Sequence, residues 1–428
     1  MSIQNAMSDD ASPGVATVIS RVQHSLELGE LKTAGVIVEQ GLSEFVDNYE
    51  LLCLRVVVQA RQGRYIAALK NVDRLVEVWP GDAKVDAQAV KFRAEILSLQ
   101  EKSRDHPYAK QFLENRAIHL DYPRTVSIET IGSCNAKCNF CPAPELERRF
   151  DRMSDELFSK VIRDLQGIPP GVPLNINTNV VNEPFMDKKM FKRLRQINEA
   201  LPTARIQIYT NFNVLPRNYV DKFRHIRNLG ALNISFNSGN KADYEAVMHI
   251  EFDRTVRHLK HFMAENRKER FLHKPVVLSR VADNTKGDDD YLTQCRAIFS
   301  EFQEGVDYRL YVKRRTTWVC DTHVEQSEVP YFLPCVAWLD MNIMCTGVVP
   351  LCCFDAKGDK AIGDVTKHSV LEIYNSPRFR NLRENHLQRE SLDVCGECSP
   401  YAAVREDPQH RSFRKIDVVV ELTRDALQ

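Results

Sequence analysis

Thr125-Val-Ser-Ile-Glu-Thr-Ile-Gly-Ser-Cys-Asn-Ala-Lys-Cys-Asn-Phe-Cys141 joins a strand-like run, Thr125–Glu129, directly to three cysteines at positions 134, 138 and 141. A strand that feeds chemically capable side chains into the loop after it is how an α/β sheet places a site at the carboxyl ends of its strands. Five more strand-like runs follow: Pro173–Asn177, Arg205–Tyr209, Leu232–Phe236, Pro275–Val281 and Tyr308–Val312. Helical patterns such as Ser154–Leu165, Lys188–Ala200 and Tyr291–Phe302 separate them. Six βα units in succession predict a parallel sheet, two units short of a closed eight-stranded barrel.

On the amino-terminal side, residues 1 to about 115 read as all-helical, with apolar positions three and four apart and no alternating pattern. Gly29-Glu30-Leu31, Ala34, Val38 and Phe45 line up with Gly63-Arg64-Tyr65, Ala68, Val72 and Trp79, each pair 34 residues apart. The period, the small residues and Pro80 resemble the tetratricopeptide repeat, and about two and a half repeats fit. A plain array of helical hairpins is the alternative. Beyond residue 317 the βα pattern breaks into a short hairpin turning near Thr346-Gly347, a helix around Ser369–Tyr374 and a second group of cysteines. The chain therefore divides into 1–115, 116–317 and 318–428.

The composition narrows the function. With 58 basic and 58 acidic residues in 428, the chain has no global attraction for nucleic acid or an anionic membrane. No run approaches a membrane span, and the start lacks the basic and apolar regions of a signal peptide, so a cytoplasmic protein is expected. Twelve cysteines are too few for a disulfide scaffold of this length, and their clustering in a reducing compartment points to metal.

Cys134, Cys138 and Cys141 are spaced so that one loop can curl around a small polynuclear centre. Three thiolates hold three irons of a cubane and leave the fourth open. Zinc and electron-transfer clusters are the competing readings, although structural zinc usually takes four ligands in paired C-x2-C units. The spacing C-x3-C-x2-C after a first strand resembles the radical S-adenosylmethionine (SAM) superfamily over roughly residues 120–400. The resemblance implies a partial (β/α)6, TIM-like barrel, a [4Fe–4S] cluster that binds SAM, and reductive cleavage to a 5′-deoxyadenosyl radical. By the same resemblance Phe140 lies against adenine, and Asn182-Glu183-Pro184 receives the methionine amino group. Thr210-Asn211 and Ser235-Phe236-Asn237 match further SAM-contacting positions, with asparagines at 182 and 237 where relatives carry glycine and an acid. Met248 stands where relatives often have an arginine.

Cys335, Cys352, Cys395 and Cys398 form a second set, with Gly347 four residues before Cys352. Four thiolates saturate a cubane, so this centre is expected to be closed. Zinc is the alternative. The region resembles the twitch/SPASM auxiliary-cluster module, and the absence of cysteines after Cys398 implies one auxiliary [4Fe–4S] cluster, the twitch form. Among the remaining cysteines, Cys53 and Cys295 read as core thiols, and Cys320, Cys345 and Cys353 as packed thiols or hydrogen-atom donors. Arg314 and Arg315, just after the sixth strand, are candidates for substrate contact or proton transfer.

These features together imply a dehydrogenase-type radical SAM enzyme acting on a small polar, sugar-like or aminocyclitol-like molecule. The alternatives are an epimerase with a cysteine donor, and an enzyme modifying a peptide or carrier-bound substrate recruited by the helical repeats, which bind peptides or protein partners in many arrays. A non-catalytic iron–sulfur carrier is the reading from a different class. A flavodoxin- or ferredoxin-type reductant goes with the radical SAM resemblance.

Overall fold

The computed structural model describes residues 13–283, 285–313, 318, 333–385, 389, 392 and 395. Six helices open the chain: α1 (Pro13–Glu27), α2 (Leu31–Glu44), α3 (Tyr49–Arg61), α4 (Tyr65–Val78), α5 (Ala83–Arg104) and α6 (Pro107–His119). The 34-residue period is structural, because α2 and α4 begin and end 34 positions apart. Gly29 and Gly63 turn the chain into those two helices at φ of 75° and 73°, a conformation side chains with a Cβ resist. Val38, Val72, Ala34 and Ala68 are all buried between the helices.

The sheet then assembles from β1 (Thr125–Ile128), β2 (Asn175–Asn177), β3 (Arg205–Thr210), β4 (Leu229–Ser235), β5 (Val276–Val281) and β6 (Tyr308–Lys313). Between them lie α7 (Asp155–Leu165), α8 (Met190–Ala200), α9 (Tyr219–Arg224), α10 (Lys241–Met248), α11 (Phe252–Glu269) and α12 (Lys286–Ile298). All pairings are parallel, in the order β6-β5-β4-β3-β2-β1. Sequential neighbours with right-handed crossovers put every connecting helix on the same face, the winding of a partial barrel rather than a doubly wound sheet. Under the helices the strands bury Val126, Ile128, Ile176, Ile206, Ile208, Leu232, Ile234, Val276 and Leu278.

The other face differs. Alternate positions carry Ser127, Asn177, Gln207, Tyr209, Asn233 and Tyr311, and the register sets Ser127 beside Asn177, Asn177 beside Gln207 and Tyr209 beside Asn233. Asn177 Nδ2 donates to Ser127 Oγ at 3.2 Å, Gln207 Nε2 to Asn175 Oδ1 at 3.0 Å and Tyr209 OH to Gln207 Oε1 at 3.4 Å. Neutral amides and hydroxyls thus form a hydrogen-bonded ladder across three strands, where a filled barrel would carry branched apolar side chains.

The turn at Thr346-Gly347 is present, with Gly347 at φ 95°. Its first arm is not part of a separate hairpin, however. Asp340–Ile343 (β7) joins the main sheet, parallel to β1, as its seventh strand. The pairing is secured at its start by Arg124, whose Nε and Nη2 bond the two Asp340 oxygens at 3.0 and 2.7 Å. The second arm, β8 (Val348–Val349), pairs antiparallel with β9 (Gly363–Asp364). Then come α13 (Val370–Tyr374), opened by a capping box between Ser369 and Glu372, and α14 (Pro377–Asn385).

Helix α6 ties the helical array to this carboxyl-terminal region. Phe112 meets Trp338 edge-on at 6.0 Å, Tyr374 OH donates to the His119 carbonyl at 2.6 Å, and Arg116 Nη1 donates to the Arg383 and Glu384 carbonyls at 3.2 and 3.1 Å. Among the described residues no helix is long and apolar enough to cross a membrane.

Candidate functional site

The loop after β1 is built by a close backbone approach. Gly132 lies so near Arg148 that a Cβ there would stand 2.0 Å from the Arg148 carbonyl oxygen. Gly132 N donates to Asp151 O at 3.0 Å and Ser133 Oγ to Arg149 O at 2.6 Å, so residues 132–151 close on themselves and present the three cysteines at the carboxyl end of the sheet. All three thiols are partly buried. Ala136 N donates to Cys134 Sγ at 3.4 Å, and Lys137 N is anchored on the Met248 carbonyl at 3.0 Å. Met248 therefore holds the loop through its backbone carbonyl.

Burial raises all three thiol pKa values. Cys134 goes well up, with Glu183 and the other two cysteines adding to the effect, and Cys138 goes up to about 12, with Cys141 adding and Lys313 opposing. Cys141 is raised by burial against the opposing Ala143 amide and Lys313. Lys313, at the end of β6, has its own pKa lowered by burial, while Cys141 and Cys138 oppose that change. Mutually coupled buried thiols release their protons only against a compensating cation, and bound iron supplies that compensation. Among the described residues no group of three His, Cys, Asp or Glu side chains is placed to hold a metal ion. By ligand number, three thiols on one loop match the three protein-held corners of a cubane cluster, whereas structural zinc usually takes four ligands.

Glu183 is fully committed within the protein. Its Oε1 accepts from Thr210 Oγ1 at 2.6 Å and Phe185 N at 3.1 Å, and its Oε2 accepts from Asn211 N at 2.7 Å. The carboxylate thus welds the end of β2 to the end of β3. Asn211 carries the link onward, its Nδ2 donating to Asn135 Oδ1 at 2.8 Å inside the triad loop and lying 3.9 Å from Cys134 Sγ. Asn237 is committed too, its Oδ1 accepting from Val281 N at 2.9 Å. Ser235 stands half-buried at the end of β4, in register with Ser279. Pro184 is buried at the start of a 3-10 turn, and the Phe140 carbonyl accepts from Trp318 Nε1 at 3.0 Å.

Burial pushes the Glu183 carboxyl up to about 7, against the opposing bonds from Thr210, Asn211 and Phe185. A folded-state pKa above the unfolded value means that folding takes up a proton between the two. This contribution to stability is therefore complete at low pH and lost as pH rises through 7. Between pH 5 and 8 the wild type should lose roughly 2 kcal/mol more than Glu183→Gln, measured as the change in denaturation free energy of each protein over that interval.

Several buried polar atoms at the ends of β1 and β2 have no hydrogen-bond partner: Thr130 Oγ1, Asn177 Oδ1, Thr178 Oγ1, Asn179 Oδ1 and Asn182 Nδ2. Orphans of this kind are uncommon in folded proteins, and a cluster of them beside the triad loop marks a place for a polar ligand. Asn182 was legible from its motif. Asn177, Thr178 and Asn179 belong to no motif, although the run Asn175-Ile-Asn-Thr-Asn179 is unusually polar for a strand end.

In the second cysteine group, Cys335 is buried with Phe112, Trp338 and Leu339, whereas Cys352 and Cys395 are half-buried. Cys398, Cys320, Arg314 and Arg315 lie outside the described residues. Cys353 is pushed up to about 12 by burial, with Asp340 and Cys335 adding, and it lies within electrostatic reach of Tyr209 on the inner face. Cys345 is 2% exposed and its thiol hydrogen-bonds with the Glu129 carboxylate.

Comparison with known proteins adds the deciding observation. Residues 335–399 match the SPASM iron–sulfur cluster-binding domain. The second cysteine group therefore lies in a carboxyl-terminal iron–sulfur cluster-binding domain. No curated protein matches the sequence. Solved structures similar to this chain include BtrN in complex with AdoMet and 2-DOIA, at 16% identity over 64% of this chain and 92% of that one, TM-score 0.42. SuiB of Streptococcus suis bound to its precursor peptide SuiA aligns at 14% identity over 82% and 86%, TM-score 0.46. The enzyme anSMEcpe with AdoMet and the Cp18Cys peptide aligns at 11% identity over 64% and 88%, TM-score 0.45.

Proposed function

We propose that this chain is a radical SAM enzyme that oxidises a small polar, sugar-like substrate by two electrons. Cys134, Cys138 and Cys141 would hold a [4Fe–4S] cluster that, together with SAM, would supply radical chemistry able to remove a hydrogen atom from substrate carbon. Cys335, Cys352, Cys395 and Cys398 would hold an auxiliary cluster that would supply the acceptor for the second electron, so that with release of a proton the substrate would lose two electrons and two protons in all. A flavodoxin- or ferredoxin-type protein fits as the source of the cleaving electron.

The observation that carries the substrate class is the ladder of neutral amides and hydroxyls on the inner sheet face, from Ser127 and Asn177 through Gln207 to Tyr209. A substrate rich in hydroxyls matches donors and acceptors that an apolar ligand would leave unpaired. The chain's own residues have distinct duties in this reading. Glu183 and Thr210 hold the strand ends rigid, Asn211 steadies the triad loop, and Thr178, Asn179 and Asn182 offer polar atoms to the methionyl end of SAM. Epimerisation is the second reading, favoured by Cys353 close to Tyr209. The product decides: oxidation gives one 5′-deoxyadenosine per product 2 mass units lighter than substrate, whereas solvent deuterium in a product of unchanged oxidation level, lost in Cys353→Ala, establishes epimerisation instead.

A further inference from the structure

We propose that the buried Glu129–Arg148 pair is a positioning clamp that fixes the spacing between the triad loop and the auxiliary module, and that Trp318 is its second jaw. The inference rests on the radical SAM reading above. Glu129, directly after β1, is wholly buried, and Arg148 is 7% exposed. Arg148 Nε and Nη2 donate to the two Glu129 oxygens at 2.6 and 3.2 Å. The remaining bonds leave the pair in different directions. Arg148 Nη1 donates to the Ala356 carbonyl, Cys345 N donates weakly to Glu129 Oε1 at 3.4 Å, and Val181 N donates to Glu129 Oε2 at 3.1 Å.

One ion pair thereby joins four segments: the end of β1, the loop that carries Cys134 to Cys141, the loop beside Asn182, and the 345–356 segment that contains Cys352. A buried pair is a poor device for stability alone, since removing two charges from water costs about as much as their attraction returns. Its value lies in geometry, because a bidentate guanidinium admits one orientation. Trp318 bridges the same two loops independently. Its Nε1 donates to the Phe140 carbonyl at 3.0 Å, and its ring meets Phe354 at 6.0 Å. Phe140 precedes Cys141 and Phe354 lies two residues after Cys352, so Trp318 acts near a thiol of each set. Transfer of the second electron depends steeply on the distance between its donor and acceptor, and the clamp sets that distance.

The experiment uses the full chain with both clusters reconstituted. Arg148→Lys keeps the charge opposite Glu129 but cannot reach Ala356 at the same time. It is expected to retain wild-type iron content and 5′-deoxyadenosine formation within about twofold, while product formed per 5′-deoxyadenosine falls about fivefold or more. The microwave power saturation of the reduced triad cluster's EPR signal, which reports its magnetic interaction with the auxiliary cluster, should shift in parallel. Trp318→Phe keeps the ring and loses the hydrogen bond, and should shift both readouts in the same direction by a smaller amount; it also carries the test if Arg148→Lys does not fold. Unchanged saturation and unchanged coupling in these variants would overturn the clamp. If wild-type protein forms no 5′-deoxyadenosine, the radical reading fails, yet the saturation comparison still tests the clamp.

Discussion

Alanine at Cys134, Cys138 or Cys141 is expected to abolish 5′-deoxyadenosine formation, by about a thousandfold or more, with the helical and sheet structure retained. In the proposed cluster each thiolate would hold one iron, and the loop provides no fourth cysteine to replace a lost ligand. Removing one opens a second iron to solvent and strips a charge from a site whose neighbours, Glu183 and Lys313, are already arranged around three thiols. Folding should survive because the thiols are only partly buried and the loop is held by other bonds, from Gly132 to Asp151 and from Ser133 to Arg149. Iron content, circular dichroism and chromatographic assay of 5′-deoxyadenosine check the three parts. Retained SAM cleavage in any one variant would remove that cysteine from the set.

Cys335→Ala is expected to do something different: SAM cleavage continues within about threefold, while oxidised product falls about a hundredfold. Cys335 sits among Phe112, Trp338 and Leu339, away from the triad loop, and losing one buried sulfur leaves a small cavity worth about 1 kcal/mol. The fold should tolerate that. Without its first thiolate the auxiliary centre loses its closed ligand set, so the substrate radical has no acceptor for its second electron. Counting 5′-deoxyadenosine against product in the same reaction separates the two steps. Equal loss of both would assign Cys335 to folding of the whole chain instead.

How far the sequence foretells this structure depends on how local the determinant is. The strands of the sheet are legible because runs such as Arg205–Thr210 alternate or stay apolar over their whole length, and the triad is legible because spacing along one loop is itself the signal. Helix α12 was placed late: its opening turn, Lys286-Gly-Asp-Asp-Asp290, looks like a loop by composition, but Thr285 caps it and Asp288 is held by Arg280 at 2.8 Å. Seventh-strand membership of Asp340–Ile343 is a long-range pairing fixed by Arg124, more than 200 residues earlier, and no local pattern encodes it. The Glu129–Arg148 pair was invisible for the same reason, although an acid directly after a first strand, beside three cysteines, was a usable hint. Dividing the chain at residue 115 cuts inside α6, whose Phe112 packs on Trp338 beside Cys335. A truncation meant to test the helical repeats should therefore end before Pro107.

The central claim is that the triad loop makes this chain a SAM-cleaving radical enzyme. The most direct measurement is anaerobic incubation of reconstituted, dithionite-reduced protein with SAM, followed by quantification of 5′-deoxyadenosine. The account predicts several equivalents of 5′-deoxyadenosine and methionine per protein, dependent on reductant and lost when the three cysteines are replaced. Protein carrying its full iron content that forms none, or forms it equally well without Cys134, Cys138 and Cys141, would contradict it.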